Sequence, residues 1–381
     1  MSLQRFVPLL ALAACAPPDV GALQAAKLDL VDGGPATNTR FVEFVDGATD
    51  ILRIALPTLE DEALSAAIIA AADRGVDVRV VTDIDESNDV GIVALSDAGV
   101  PLQLADDALT YFDFSFNLDF EYTSDLLKMS HAFALRNEAP MGRCCLEFLS
   151  ANQAGDVGPG TRIVYQGLVE EIGEDMASEF TQVYGGTDAS ATNAFNAPMK
   201  SIADFRWSYG LSGHERVELW FGPQERPTKR IIDAVYGARS SIWIATEDTN
   251  EEGLARALQE KARDGFDVRI VLGAGFGTAN NAQSRLLETD TPDVQKRFLP
   301  AGSDPIPTLV LVDLDDPEQG AQGMWTTMPI WSASRLYRGS VTPTDQLTDM
   351  HLWTLDAWEA PLTGDLVTLQ QLYTDLEAKG E

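Results

Sequence analysis

Ala48-Thr-Asp-Ile-Leu-Arg-Ile54-Ala55, followed by Gly75-Val-Asp77-Val78-Arg79-Val-Val81, returns 190 residues later as Ala238-Arg-Ser-Ser-Ile-Trp-Ile244-Ala245 and Gly265-Phe-Asp267-Val268-Arg269-Ile-Val271. Laid on each other without a gap, residues 48–81 and 238–271 agree at twelve of 34 positions. Chance would give about two, so the chain holds two copies of one unit. Each copy reads as strand, helix, strand. Leu52 to Leu56 and Ser241 to Thr246 are short β-rich runs. Glu60 to Arg74 and Glu251 to Asp264 are alanine-rich helical stretches, opened by acidic residues that suit the positive end of a helix dipole. Gly75 and Gly265 fall just past the helix ends, where a left-handed residue is favoured. Val76 to Thr82 and Phe266 to Leu272 are apolar enough for strands buried on both faces. This order calls for a right-handed parallel crossover. The expected class is therefore α/β, with two pseudo-symmetric lobes, each a mostly parallel β-sheet flanked by helices.

The remainder of the sequence fits that frame. Its 381 residues carry 59 acidic and 27 basic side chains, a net charge of −32. Such an excess excludes a nucleic-acid binder, which needs basic surface to neutralise phosphates, and it repels anionic bilayers. It reads as a solubility or salt-adaptation trait. The length suits about two domains, taken as a first lobe over 36–200 and a second over 201–381.

The amino terminus reads as a signal peptide over 1–14: Arg5, then the apolar run Phe6 to Leu12, then Ala13-Ala14-Cys15. The run is too short to span a bilayer, which takes about 20 apolar residues. Leu12-Ala13-Ala14-Cys15 resembles the bacterial lipobox, which implies cleavage before Cys15, lipidation of that cysteine and anchoring at a membrane face of the cell envelope. Residues 15–35, with Pro17, Pro18 and Gly33-Gly34-Pro35, would be the lipidated cysteine and its tether. The other two cysteines, Cys144 and Cys145, are neighbours that read as buried small hydrophobes. With three histidines in all, no zinc-type ligand set is expected, and no cofactor.

The pattern of apolar helix, Ala, short strand, helix, Arg-Gly-Val-Asp-Val-Arg, strand in two copies resembles the phospholipase D superfamily. The second copy opens with Leu219-Trp-Phe221-Gly-Pro223, similar to that family's Phe-x-Pro. Glu170 to Tyr184 and Leu369 to Leu376 look like the closing helices of its two halves. The resemblance implies one His-x-Lys-x-x-x-x-Asp motif per half, followed by Gly-Ser-x-Asn. One histidine would attack phosphorus, the other would protonate the leaving oxygen, and the lysines and asparagines would hold the phosphoryl oxygens.

Both motifs are degenerate. In the first half Ser130 takes the histidine position, Ala132 the lysine and Asn137 the aspartate; Leu149-Ser150-Ala151-Asn152 follows, keeping Ser150 and Asn152. A one-residue slip would put His131 in the nucleophile's place and reverse the strand faces; His131 also reads as a satisfied structural histidine. In the second half Ile306, Thr308 and Asp313 stand for histidine, lysine and aspartate, and Trp331-Ser332-Ala333-Ser334 keeps only Ser332. Asp349 could replace the acidic residue after the second motif. Ser150, Asn152, Ser332 and Asp349 are the candidate ligand-binding residues.

Without nucleophile or lysines, the implied activity is degenerate. The expected protein is an envelope lipoprotein whose inter-lobe cleft binds a phospholipid, another phosphodiester or a partner without hydrolysis. Two alternatives stand beside it: an active phospholipase D-type phosphodiesterase cleaving phospholipid head groups, and a structural envelope lipoprotein. A cleft filled by Phe133, Ile306 and Trp331 would favour the last. The aromatic run Tyr111 to Tyr122 alternates apolar and polar residues, as a half-buried strand does, or as a lip of the cleft. Trp325, Trp331, Trp353 and Trp358 read first as core of the second lobe. Gly273-Ala-Gly-Phe-Gly277 lacks the rest of a dinucleotide motif.

Overall fold

A computed structural model describes residues 26–105, 109–113, 118–122, 129–136, 146–185, 207–209, 215–222, 225, 227–247, 249, 251–274, 294–316, 320–326, 330, 350–356 and 364–381. In the first lobe β1 (Ala26–Asp32), α1 (Gly33–Asp46), β2 (Ile51–Ala55), α2 (Glu62–Asp73), β3 (Asp77–Asp83), α3 (Val90–Asp97) and β4 (Leu102–Ala105) precede a hairpin, β5 (Leu109–Asp113) and β6 (Leu118–Tyr122). Then follow β7 (Phe133–Arg136), β8 (Glu147–Ala151), β9 (Thr161–Gly167) and α4 (Glu170–Tyr184). The second lobe runs β10 (Trp207–Tyr209), β11 (Glu215–Phe221), α5 (Pro227–Gly237), β12 (Ser241–Thr246), α6 (Glu252–Arg263), β13 (Asp267–Leu272) and β14 (Gln295–Phe298). It ends with β15 (Thr308–Val312), β16 (Gln322–Thr326), β17 (Met350–Asp356) and α7 (Gly364–Lys379).

The duplication is carried into the helix ends. Asp61 caps α2 through Ala63 N and Leu64 N, and Glu251, its counterpart, caps α6 through Gly253 N; such a cap contributes about 1 kcal/mol. Gly75 and Gly265 both sit at φ +89°, in the left-handed region their positions require.

The two sheets share one topology. The first has the order β1-β9-β8-β7-β2-β3-β4, and the second β11-β17-β16-β15-β12-β13-β14 with β10 added at its edge. The α/β class and the two lobes hold, but the sheets are mixed, not mostly parallel. Only β2–β3–β4 and β12–β13–β14 run parallel; the motif strands and their neighbours pair antiparallel. The reason lies in the connections. Helical crossovers impose parallel pairing on the repeated unit, whereas β7 to β9 and β15 to β17 follow one another as antiparallel neighbours. A second correction concerns the tether: Ala26–Asp32 is the edge strand β1, paired with β9 from Ala26↔Gly167 to Asp32↔Thr161, and α1 begins at Gly33. The aromatic run forms the hairpin β5–β6, a separate two-stranded sheet.

Three apolar layers result. One packs α1, α2 and α3 on the outer face of the first sheet, and another packs α5 and α6 on the second. The third lies between the lobes and contains α4 and α7 together with residues of both sheets, so the lobes share a single continuous core. Trp325 belongs to this middle layer and Trp353 to the outer layer of the second lobe, both fully buried. Among the described residues no helix is long and apolar enough to cross a membrane.

Candidate functional site

Strand pairing fixes which motif positions correspond. Ala55 pairs with Phe133 and Ala245, its repeat partner, pairs with Leu309. Phe133 and Leu309 are therefore equivalent, which equates Ser130 with Ile306, Ala132 with Thr308, and Asn137 with Asp313. The same logic moves the second Gly-Ser-x-Asn counterpart. Phe133 faces Ser150 and Leu309 faces Trp325, so Trp325 occupies the place given by sequence to Ser332, seven residues downstream. Ser332, Asp349, Asn137, Cys15, Trp331, Cys144 and Cys145 lie outside the described residues.

None of the described first-lobe candidates projects freely from a cleft wall. Ser130 is 6% exposed, and Ala132 is fully buried among the residues under α1 and α2. His131 is fully buried on the opposite face. Its Nε2 lies 2.5 Å from Glu179 Oε1 of α4, and its ring packs against Phe133 and against Phe221 of the second lobe, at 5.7 and 5.5 Å. Ser150 donates its hydroxyl to Tyr165 O at 3.3 Å, and Asn152 Oδ1 accepts from Ile163 N at 2.7 Å. Both side chains thus fasten β8 to β9.

In the second lobe Thr308 is buried, its hydroxyl 3.1 Å from that of Thr246. Ile306 is half-buried against the middle layer. Asp313 stands at φ +58° and holds the turn before β12. Its Oδ1 accepts from Arg239 N, Ser240 N, Ser240 Oγ and Ser241 N at 2.8–3.2 Å, and Oδ2 accepts from Arg239 N at 3.1 Å. All of these bonds hold the turn of residues 239–241.

Two carboxylates that sequence reading passed over fix the motif strands. Asp83 Oδ2 accepts from Met129 N at 2.7 Å, and Glu247 Oε1 accepts from Ile306 N at 2.6 Å. They occupy different repeat positions: Asp83 corresponds to Gly273, and Glu247 to Pro57. A Cβ on Gly273 would come within 2.0 Å of Glu247 Oε2, so the glycine makes room for the acid. That exchange of carboxylate and small residue between neighbouring strand ends was visible in the aligned copies. Glu179 had no such signal, because its partner is 48 residues away in sequence. On α7, burial pushes the Tyr373 hydroxyl well above its ordinary pKa, with Glu377 adding to the effect, so that phenol is neutral.

Met129, Phe133 and Leu135 from the first motif strand and Ile306, Leu309 and Leu311 from the second join one apolar layer. Beside it a cavity of about 310 Å³ opens between the lobes, lined by Asp32, Gly160 and Thr161 from the first and by residues including Ser303, Asp304 and Ile306 from the second. Among the described residues no cluster of ligating side chains could hold a metal ion.

The repeat, the matching sheets and the paired motif strands agree with what comparison finds. Residues 41–118 match the family described as "Cardiolipin synthase, PLD-like domain". Over that segment the chain is similar to a phospholipase D-like domain. The matched segment ends before the first motif strand, so it speaks for the repeated unit and not for the chemistry. The phosphatidylserine synthase of Haemophilus influenzae superposes on this chain with a TM-score of 0.58 at 10% identity, over 92% of this chain and 85% of that one. The polyphosphate kinase of Porphyromonas gingivalis gives a TM-score of 0.56 at 11% identity over 93% of this chain, which spans about 50% of the kinase. At these identities the likeness establishes the fold. No curated protein sequence matches the chain.

Proposed function

We propose that this phospholipase D-like protein is a lipid-anchored protein of the bacterial cell envelope that binds a ligand between its lobes and does not hydrolyse phosphodiesters. The observation that carries the reading is the pair of lysine positions. Ala132 and Thr308 are buried and uncharged, and Phe133 and Leu309, which face the inter-lobe layer from the same strands, are apolar, so neither register places a cation where it would meet a substrate's phosphoryl oxygens, and electrostatic stabilisation of that kind is usually the largest catalytic term. Ser130 and Ile306 at the histidine positions offer no imidazole, and His131 is committed to Glu179. The cavity beside Ile306 supplies the space for a ligand. The envelope location rests on Leu12-Ala13-Ala14-Cys15. From Cys15 the ten residues 16–25 would reach at most about 35 Å to β1.

The test is hydrolysis of bis-p-nitrophenyl phosphate and of a mixed phospholipid panel by the purified full chain, beside His131→Leu, with metals chelated. The expected result is no turnover above that variant in either assay. Turnover abolished by His131→Leu would replace this reading with that of a working phosphodiesterase. Palmitate labelling lost in Cys15→Ser tests the anchor.

A structural envelope protein is the second reading. What favours it is the placement of Phe133, fully buried, and Ile306, half-buried, within the inter-lobe layer. Ligand protection of the folded chain separates the two, because a scaffold has none.

A further inference from the structure

The two sheets differ at the edge beyond their parallel strands. Thr82 and Leu272 are 190 residues apart in the repeat, and they pair with Leu104 of β4 and Phe298 of β14. Leu104 and Phe298 are therefore equivalent, as are Gln103 and Arg297. In a parallel ladder, alternate residues turn their backbone groups to the same neighbour. Val80 N donates to Pro101 O, and Leu299 N to Leu272 O. Leu102 and Leu104, like Phe298, thus direct their N–H and C=O groups away from the sheet.

In the second lobe that outer edge is covered. Phe298 N donates to Glu381 O at 3.1 Å, and Glu381 N donates to Phe298 O at 2.9 Å. Such a reciprocal pair is the antiparallel pattern. Arg297 Nη1 adds a bond to Gly380 O at 3.2 Å and holds the incoming backbone. In the first lobe, no backbone group among the described residues pairs with the outer edge of β4. Gln103, at the position of Arg297, turns its own amide onto Leu104 O at 3.4 Å. At that length the bond is a weak substitute for a strand partner.

Composition sharpens the contrast. Exposed edges are usually blunted by charge, proline or a bulge. The covered strand, Gln295-Lys-Arg-Phe298, carries two cations, whereas the open one, Leu102-Gln-Leu-Ala105, carries none. Leu102 and Leu104 are half-buried against the outer layer of the first lobe. Directly paired residues share a sheet face, so an added strand would lay its own side chains beside these two leucines.

We propose that the open edge of β4 docks an extended, cationic peptide segment of a partner protein, added antiparallel to β4 as Glu381 is to β14. Apolar residues at alternate positions of that segment pack beside Leu102 and Leu104. Basic residues between them suit a chain of net charge −32, in which Asp106 and Asp107 directly follow β4. This surface is independent of what the space between the lobes binds.

Amide exchange of the full chain, read by NMR, examines the edge first: Leu104 N–H should exchange about a hundredfold faster than Phe298 N–H. The probe is acetyl-Lys-Val-Lys-Val-Lys-amide, with Lys-Pro-Lys-Pro-Lys and Glu-Val-Glu-Val-Glu peptides beside it. The lysine-valine peptide should slow Leu104 exchange about tenfold and bind about tenfold more tightly than either control. Leu104→Pro removes the outward N–H, spares the bonds to β3, and should abolish that binding with the unfolding transition in place. Gln103→Ala frees Leu104 O without altering any backbone group and should tighten binding about twofold, which decides the matter if the proline variant does not fold. No binding of the lysine-valine peptide, equal binding of the proline peptide, or binding that leaves Leu104 exchange unchanged overturns the proposal, as does binding that survives in a folded Leu104→Pro. Leu104 protected in the dilute free chain also overturns it, because the chain then covers its own edge. Protection that grows with protein concentration, with a dimer in sedimentation, replaces the partner by a second copy and overturns it likewise.

Discussion

Replacing Asp313 should unfold the second lobe more readily without touching any chemistry, and the structure sets the size and order of the effect. The Asp313 carboxylate accepts from three consecutive backbone N–H groups, Arg239 to Ser241, and from the Ser240 hydroxyl. Hydrogen bonds to a charged group contribute about 1.5–3 kcal/mol each when buried. Arg239 is exposed and Ser240 half-exposed, whereas Ser241 is buried. Water therefore recovers part of the loss, and Asp313→Ala should cost about 3–4 kcal/mol. Asp313→Asn keeps the Oδ1 acceptor and should cost about 1–2 kcal/mol. Because φ is +58°, Asp313→Gly should recover about 1 kcal/mol relative to Ala. The assay is urea unfolding followed by tryptophan emission. All seven tryptophans, Trp207 to Trp358, lie in the second half of the chain, so the signal reports the lobe in question. A cost below about 1 kcal/mol for Ala, or a glycine variant worse than Ala, would refute the role of Asp313 as the anchor of this turn.

Other expectations follow from the same geometry. His131→Leu should destabilise by about 3–5 kcal/mol, because Glu179 is left buried without its imidazole, and His131→Leu/Glu179→Leu should recover most of that loss in the same unfolding assay. Ala132→Lys should cost at least about 3 kcal/mol, since the first motif's lysine position is now apolar core; normal stability there, read by calorimetry, would mean that the side chain still opens to a cleft. Gly160→Ala forces a Cβ to within 2.6 Å of Pro305 O, and should loosen the lobe contact, seen as faster proteolysis between the lobes. With a net charge of −32, the thermal midpoint should rise by several degrees from low salt to about 1 M NaCl, where the screening length has fallen to about 3 Å.

The repeat made the fold legible because the strand-helix-strand unit is local. Its apolar spacing, acidic caps and terminal glycines lie within 34 residues of each other, and the helices and strands form where those features put them. The antiparallel half of each sheet was harder to read. β7 has only four residues, and what sets its direction is pairing with strands far away in sequence. The edge strand β1 was hidden for a related reason. Ala26-Lys-Leu-Asp-Leu-Val-Asp32 follows a proline-rich stretch and becomes a strand only by pairing with β9.

At the motif strands, local sequence gives no sign of what holds them in place. Asp83, Glu179 and Glu247 do that work through contacts spanning 46 to 59 residues; the repeat marks the first and last of them, and nothing local marks Glu179. The second Gly-Ser-x-Asn counterpart was displaced because serine identity guided the sequence alignment, whereas the register Leu309↔Trp325 is a backbone fact. In a site where side chains have diverged, strand pairing is the more durable marker of equivalence.

The central claim is that phosphoryl transfer has been lost from both halves. Quenching the full chain in alkaline detergent after brief mixing with a radiolabelled phosphodiester, with the retained label compared before and after acid treatment, tests it most directly, because a phosphohistidine survives alkali and is lost in acid. The account predicts no alkali-stable label on the protein. Stoichiometric label that disappears in His131→Leu would contradict it.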